Sequence, residues 1–258
     1  MPLLALAVLA VGCGSKSTNA QTDSTATDSS VVVTTPTTAQ AACKDLPPGN
    51  SVVATAKNVG DLPIYAQPSD PAPARTMANP RLINNDPNAP SPLTFLVKDI
   101  PEAQKCQWAE VYLPMRPNGS TGWVKQSDLD YAINPYRVEV FLNEFSLKVF
   151  KNDQQVEDIK IGVAKDNTPT PGGLYYTTEL IKTPDPSGAY GPYAFGLSGF
   201  SDTLTSFNGG PGQLGIHGTN EPKAIGTQVS HGCIRMANAD ITRLAQTLPL
   251  GTPVQVHS

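Results

Sequence analysis

From residue 137 onward apolar and polar side chains alternate with period two, the spacing that sends every second residue to one face of a strand. Val138, Val140 and Leu142 repeat this way, then Leu147 and Val149, then Ile159, Ile161 and Val163 beyond the polar turn at 151–154. A meander of three strands is predicted. Near the end of the chain the period changes: Ile241, Leu244, Ala245 and Leu248 share one side of a helix that Asn238 is placed to cap and that Gly251 and Pro253 would end. Val254 and Val256 predict a last strand. Upstream, alternating or β-branched runs at 51–55, 62–65, 93–97 and 108–113 predict further short strands, and Pro117-Asn118-Gly119-Ser120 is a hairpin signal.

The segments between these elements read differently. Residues 168–173, Thr-Pro-Thr-Pro-Gly-Gly, suit a tight turn. Residues 184–212, rich in Gly and Pro and carrying Tyr190, Tyr193, Phe195 and Phe200, read as a mobile loop that covers a site and selects its ligand. The Pro-, Asn- and Ala-rich stretch 68–92 is an insertion, either a loop over the domain that begins near residue 134 or a disordered segment. Residues 15–42 hold too few large apolar side chains to offset the cost of ordering and read as a flexible tether. Within it Val31 to Val33 have strand character, but Pro36 argues against a central strand. The first dozen or so residues are apolar, too short to span a bilayer as a mature helix, and suit the core of an export signal, although no Lys or Arg precedes them.

Composition sharpens this picture. A chain of 258 residues has room for one catalytic domain and one accessory module. Its 25 prolines and 21 glycines suit short strands joined by many turns. A net charge of −4 argues against a nucleic-acid or anionic-membrane surface, so no nucleic-acid partner is expected.

The chemistry concentrates in Ile216-His217-Gly218-Thr219 and Ser230-His231-Gly232-Cys233-Ile234-Arg235-Met236. An ordinary thiol is only slightly ionised at neutral pH, so a nucleophilic cysteine needs a base within hydrogen-bond reach and donors for the oxyanion it creates. His217, His231 and the backbone around Gly232 can supply both, since a glycine takes positive φ and turns its amides toward a reacting carbonyl. Two blander readings stand beside this one: a buried structural thiol with hydrogen-bonded histidines, and a zinc site. The latter would have only three candidate ligands and no close ligand pair.

Taken as a whole, the His217 and Ser230–Met236 strings resemble the active-site signature of the L,D-transpeptidases of the YkuD family. The resemblance covers roughly 134–257 and implies a mainly β fold, a β-sandwich catalytic domain with one or two short helices. It also implies roles: Cys233 as nucleophile, His217 as proton donor and acceptor, and His231, Gly232 and Cys233 around the oxyanion. Ser230 and Gly218 belong to the same substrate-binding group. Arg235 is either a partner for a substrate carboxylate or an internal ion pair bracing the loop. Some family members have a serine after the first histidine where this chain has Gly218, so the group orienting His217 is expected to be a backbone carbonyl. The resemblance further implies peptidoglycan stem peptides as partners, no cofactor and no metal, 3→3 cross-links formed with release of D-Ala, and acylation by carbapenems. Water resolving the same thioester would instead make the chain a carboxypeptidase, and an inert Cys233 would leave a silent cell-wall-binding module.

Upstream, 110–125 loosely resembles the end of bacterial SH3-like domains, so a small SH3-like β-barrel is expected over 43–131, between a tether at 14–42 and the catalytic domain at 134–258. Ala10-Val11-Gly12-Cys13 looks like a lipobox, which would lipidate Cys13 and anchor an exported protein in the cell envelope. With Cys13 and Cys233 so used, Cys43 and Cys106 are expected to pair in an oxidising compartment. Such a bridge contributes about 4 kcal/mol in the chain-entropy account.

Overall fold

The alternating segments form two principal β-sheets in the computed structural model, which describes residues 35–38, 48–83, 87–104, 106–206 and 210–258. The first sheet is antiparallel, in the order Thr35–Thr37, Leu129–Asn134, Ser51–Ala56, Thr94–Asp99, Trp108–Tyr112, Thr121–Lys125. Its inward positions, among them Val52, Ala54, Phe95, Val111, Val124 and Leu129, build one hydrophobic core. The hairpin at 117–120 joins Trp108–Tyr112 to Thr121–Lys125, with the Ser120 amide donating to the Pro117 carbonyl at 3.2 Å. A short strand also lies within the segment read as a tether. Thr35–Thr37 occupies the sheet edge, the position where a proline such as Pro36 is tolerated. Cys13, Cys43 and Val31 to Val33 lie outside the described residues; Cys106 is buried and disulfide-bonded.

The second sheet has eight strands, ordered Gln154–Lys160, Ser146–Lys151, Tyr136–Phe141, Pro253–His257, Gly173–Lys182, Tyr193–Phe200, Gln213–His217, Ile234–Arg235. The meander of three strands forms its first half. The strand holding Val254 and Val256 lies inside the sheet, parallel to Tyr136–Phe141 and antiparallel to Gly173–Lys182. Helix Asn238–Thr247 packs Ile241, Leu244 and Ala245 into the same core, as the helical period predicts.

Two expectations are corrected. The 184–212 segment is not one loop: Tyr193–Phe200 crosses it as a strand in the interior of the sheet, with Phe195 and Leu197 almost fully buried. Asn238 is not the helix cap. Ala237 occupies that position, while Asn238 Oδ1 accepts a hydrogen bond from the Thr219 amide at 2.8 Å. His257 is exposed at the end of the last strand, where its ring stacks on Phe141 at 4.6 Å and lies 3.3 Å from Glu139.

The two sheets meet without a linker. Buried Asn134 accepts from the Tyr136 amide and donates to Thr252 Oγ1 at 3.0 Å. Tyr176 donates its hydroxyl to the Tyr112 carbonyl at 2.9 Å. Arg116 donates to the carbonyls of Ser201, Leu204 and Pro211 at 2.7, 3.2 and 2.9 Å, and Asn118 makes reciprocal bonds to the Phe200 backbone at 2.8 and 2.9 Å. The first sheet's hairpin thereby holds the chain at Phe200, Ser201, Leu204 and Pro211.

Candidate active site

His217 ends one strand and Cys233 immediately precedes the next, and these strands run parallel with Ile216 opposite Ile234 and His217 opposite Arg235. That pairing brings the two strings of the sequence together at one sheet edge. Both side chains line a cavity of about 110 Å³, along with Tyr190, Ser201, Ser230, His231, Gly232 and Arg235.

Hydrogen bonds fix the loop before Ile234. Gly232 sits at φ +126°, in the region that favours glycine. Ser230 is buried; its hydroxyl donates to the Cys233 carbonyl and receives the Gly232 amide at 3.3 Å. Thr170 Oγ1 donates to the Gly232 carbonyl at 2.8 Å. Because a trans peptide points its N–H opposite its C=O, the Thr170 bond also sets the direction of the Cys233 amide. The 168–173 turn therefore does more than reverse the chain.

Nδ1 of His217 lies 2.6 Å from the Gly218 carbonyl. The carbonyl can only accept, so Nδ1 carries the proton and Nε2 is left with its lone pair. Burial pushes the His217 imidazole down to about 4, opposed by the bond to Gly218 and reinforced by the nearby charge of Arg235. Burial likewise pushes the Cys233 thiol up, while the Gly215 backbone and Arg235 pull it partly back. The resting pair is thus a neutral thiol and a neutral imidazole.

Of the remaining expected residues, His231 is exposed at the cavity rim. Arg235 makes an ion pair with Glu221 at 3.0 Å, yet its Nε is buried with no hydrogen-bond partner, so the brace and a ligand contact are compatible. Gly218 supplies the orienting carbonyl. A Cβ there would lie 2.4 Å from Asn238 Oδ1, which accounts for a glycine where a serine stands elsewhere.

Two contributors, Gly215 and Glu179, escaped sequence reasoning, and the contact of a third, Tyr190, was only foreshadowed by it. Gly215 faces the thiol: a Cβ on it would lie 3.9 Å from Sγ. Its only signal was its place two residues before His217. Tyr190 packs its ring 4.7 Å from the His217 ring, a contact that aromatic content in 184–212 foreshadowed without specifying. Glu179 lines a second, larger cavity that shares Cys233 and His217, and nothing in its local sequence marks it.

Among the described residues no three or more of His, Cys, Asp and Glu converge as a metal-ligand set. A thiol, an imidazole oriented by a carbonyl and a constrained glycine turn make a site suited to cysteine-dependent acyl transfer. Residues 135–256 match the family model for the YkuD L,D-transpeptidase catalytic domain, and this part of the chain belongs to that family. The putative L,D-transpeptidase YkuD of Bacillus licheniformis is 38% identical over 122 residues, 47% of this chain and 66% of the relative. Its counterpart in Bacillus subtilis is 35% identical over 123 residues, 48% and 66%. The chain thus spans about two thirds of the length of these curated relatives. Among solved structures, the catalytic domain from the E. faecium L,D-transpeptidase is similar at 21% identity and a TM-score of 0.34, covering 47% of this chain and 95% of that one.

Proposed function

We propose that the chain is a peptidoglycan L,D-transpeptidase that forms 3→3 cross-links through a Cys233 thioester. The observation that carries this reading is the shared cavity of Cys233 and His217, with Nδ1 of the imidazole committed to the Gly218 carbonyl. The free Nε2 takes the thiol proton as Sγ attacks the carbonyl between the third residue of a tetrapeptide stem and its terminal D-Ala. It then returns that proton to the leaving amine. Because both groups rest neutral, proton transfer accompanies attack; no ion pair is formed beforehand. The Cys233 amide, aimed by Thr170, and the Gly232 amide, whose 3.3 Å bond to Ser230 is long enough to be exchanged, stabilise the oxyanion. The buried Nε of Arg235 is available to a substrate oxygen. An amine from a second stem resolves the thioester. Stem peptides as partners, an exported location in the cell envelope and anchoring through Cys13 belong to the same reading.

Product and intact-protein mass spectrometry with purified disaccharide-tetrapeptide tests it. A dimer lacking one D-Ala, made by the parent protein and not by Cys233→Ala, is expected. Tripeptide monomer alone would make the enzyme a carboxypeptidase; no product and no adduct on Cys233 would refute acyl transfer.

A further inference from the structure

The larger cavity, about 560 Å³, runs from Cys233 and His217 to a wall formed by Arg81 and Leu82 of the 68–92 insertion and by Glu179 of the catalytic sheet. Glu179 is a buried carboxylate, 6% exposed. Its Oε1 accepts from Gln213 Nε2 at 2.8 Å, and its Oε2 from Arg81 Nη1 at 3.3 Å. A guanidinium and a carboxylate can make two parallel bonds, whereas this pair is joined through one contact at the long end of the range.

The register of the sheet relates this pair to the thiol. A Cβ on Gly196 would lie 2.0 Å from Glu179 Oε1, so the carboxylate fills the space above Gly196. Gly196 is paired with Gly215, and a Cβ on Gly215 would lie 3.9 Å from Cys233 Sγ. Paired residues on antiparallel strands direct their Cβ atoms to one face, about 5 Å apart. The carboxylate and the thiol therefore lie on the same face, within about 11 Å of each other. From an acyl carbon at Sγ, a side chain of three methylenes and its end group, with one hydrogen bond, reaches about 10 Å.

We infer that Arg81 and Glu179 form a recognition site for a zwitterionic, amino-acid-like end of the peptide's reacting residue, its carboxylate bound by Arg81 and its ammonium by Glu179. The inference rests on the proposed attack of Cys233 on a stem peptide. It names the chemistry selected at the third position: a diamino acid whose far end keeps both charges. It also gives the 68–92 insertion a task, since Arg81 lies in the chain ahead of the catalytic sheet.

The test uses the full chain and the rate of Cys233 alkylation by iodoacetamide, slowed by three tetrapeptides that differ only at the third residue. These carry meso-diaminopimelate, the same residue with its side-chain carboxylate amidated, or lysine. The diaminopimelate peptide is expected to give half-protection at a concentration at least tenfold below the other two. Arg81→Gln should raise that concentration at least tenfold, leaving the amidated and lysine peptides within twofold, and Arg81→Lys should recover part of the difference. Equal protection by all three peptides, protection by none, or an Arg81→Gln effect that is the same for all would overturn the inference. Product analysis is scored separately: discrimination without transfer products sinks the transpeptidase reading and leaves the recognition site standing, and products without discrimination do the reverse.

Discussion

Replacing Arg116 by alanine removes one guanidinium from three carbonyls, those of Ser201, Leu204 and Pro211, and from the Phe200 ring 4.8 Å away. A hydrogen bond from a charged donor contributes about 1.5–3 kcal/mol when its loss strands the acceptor. Here the Pro211 contact is exposed and water can replace it, and the other two are only partly buried. The expected cost is therefore about 2 kcal/mol in total, well below the sum of three such bonds. For a unit of this size that corresponds to a fall of about 4–8 °C in Tm. The loss should be local first, because Arg116 ties down a segment lining the thiol cavity: amides of 200–206 and 212–215 should exchange hydrogen about thirtyfold faster in Arg116→Ala. Arg116→Lys keeps the charge, but one ammonium cannot reproduce the planar fork, and less than half of the loss should be recovered. A Tm within 1 °C of the parent together with unchanged exchange in 200–215 would refute the view that the first sheet braces the active site.

Three further outcomes are expected. Because burial holds His217 near 4 when folded and it titrates near 6.5 when unfolded, the unfolded chain binds the extra proton between these values; stability is full above about pH 6.5 and falls by about 3 kcal/mol toward pH 4. Urea midpoints across that window should show the loss in the parent and a shallower slope in His217→Gln; parallel slopes would contradict the assignment. Since the Cys233 thiol is raised and no ion pair is preformed, its alkylation rate should climb from pH 6 to pH 9 without levelling, and a rate already flat between pH 5 and pH 8 would indicate a resting thiolate. Gly218→Ser places a Cβ 2.4 Å from Asn238 Oδ1 and 3.2 Å from Ile241 Cγ2, so it should cost about 1–3 kcal/mol in denaturant unfolding; a neutral effect would show that the Asn238 bond to Thr219 is dispensable.

What was legible in the sequence follows from what sets each element. Val138, Val140, Leu147 and Val149 alternate because one face of each strand is buried, and Ile241, Leu244 and Ala245 repeat because one side of the helix is buried. Such patterns are local, and so is the glycine turn beside Cys233. The strand Tyr193–Phe200 was not legible because its glycines are occupied from elsewhere. A Cβ on Gly196 would meet Glu179, and one on Gly199 would lie 2.2 Å from the Tyr175 ring. Glycines that read as loop punctuation are thus sites of close packing between strands. Asn238 looked like a cap because its type suits one, but a loop amide distant in sequence claims its oxygen. Gly215 and Glu179 enter the site only through pairing across Gly196, a relation that no window of sequence contains.

The position of Pro253–His257 between Tyr136–Phe141 and Gly173–Lys182 sets an order of assembly. The strand made first in the catalytic sheet and the one made fourth cannot join until the chain between and beyond them has been synthesised. Closing that gap involves contacts more than a hundred residues apart, which makes for slow folding. Cys233 is made before this last strand, so the thiol exists for a time on a chain whose sheet is still open. The two halves of that sheet are joined only when the five residues of Pro253–His257 are laid in.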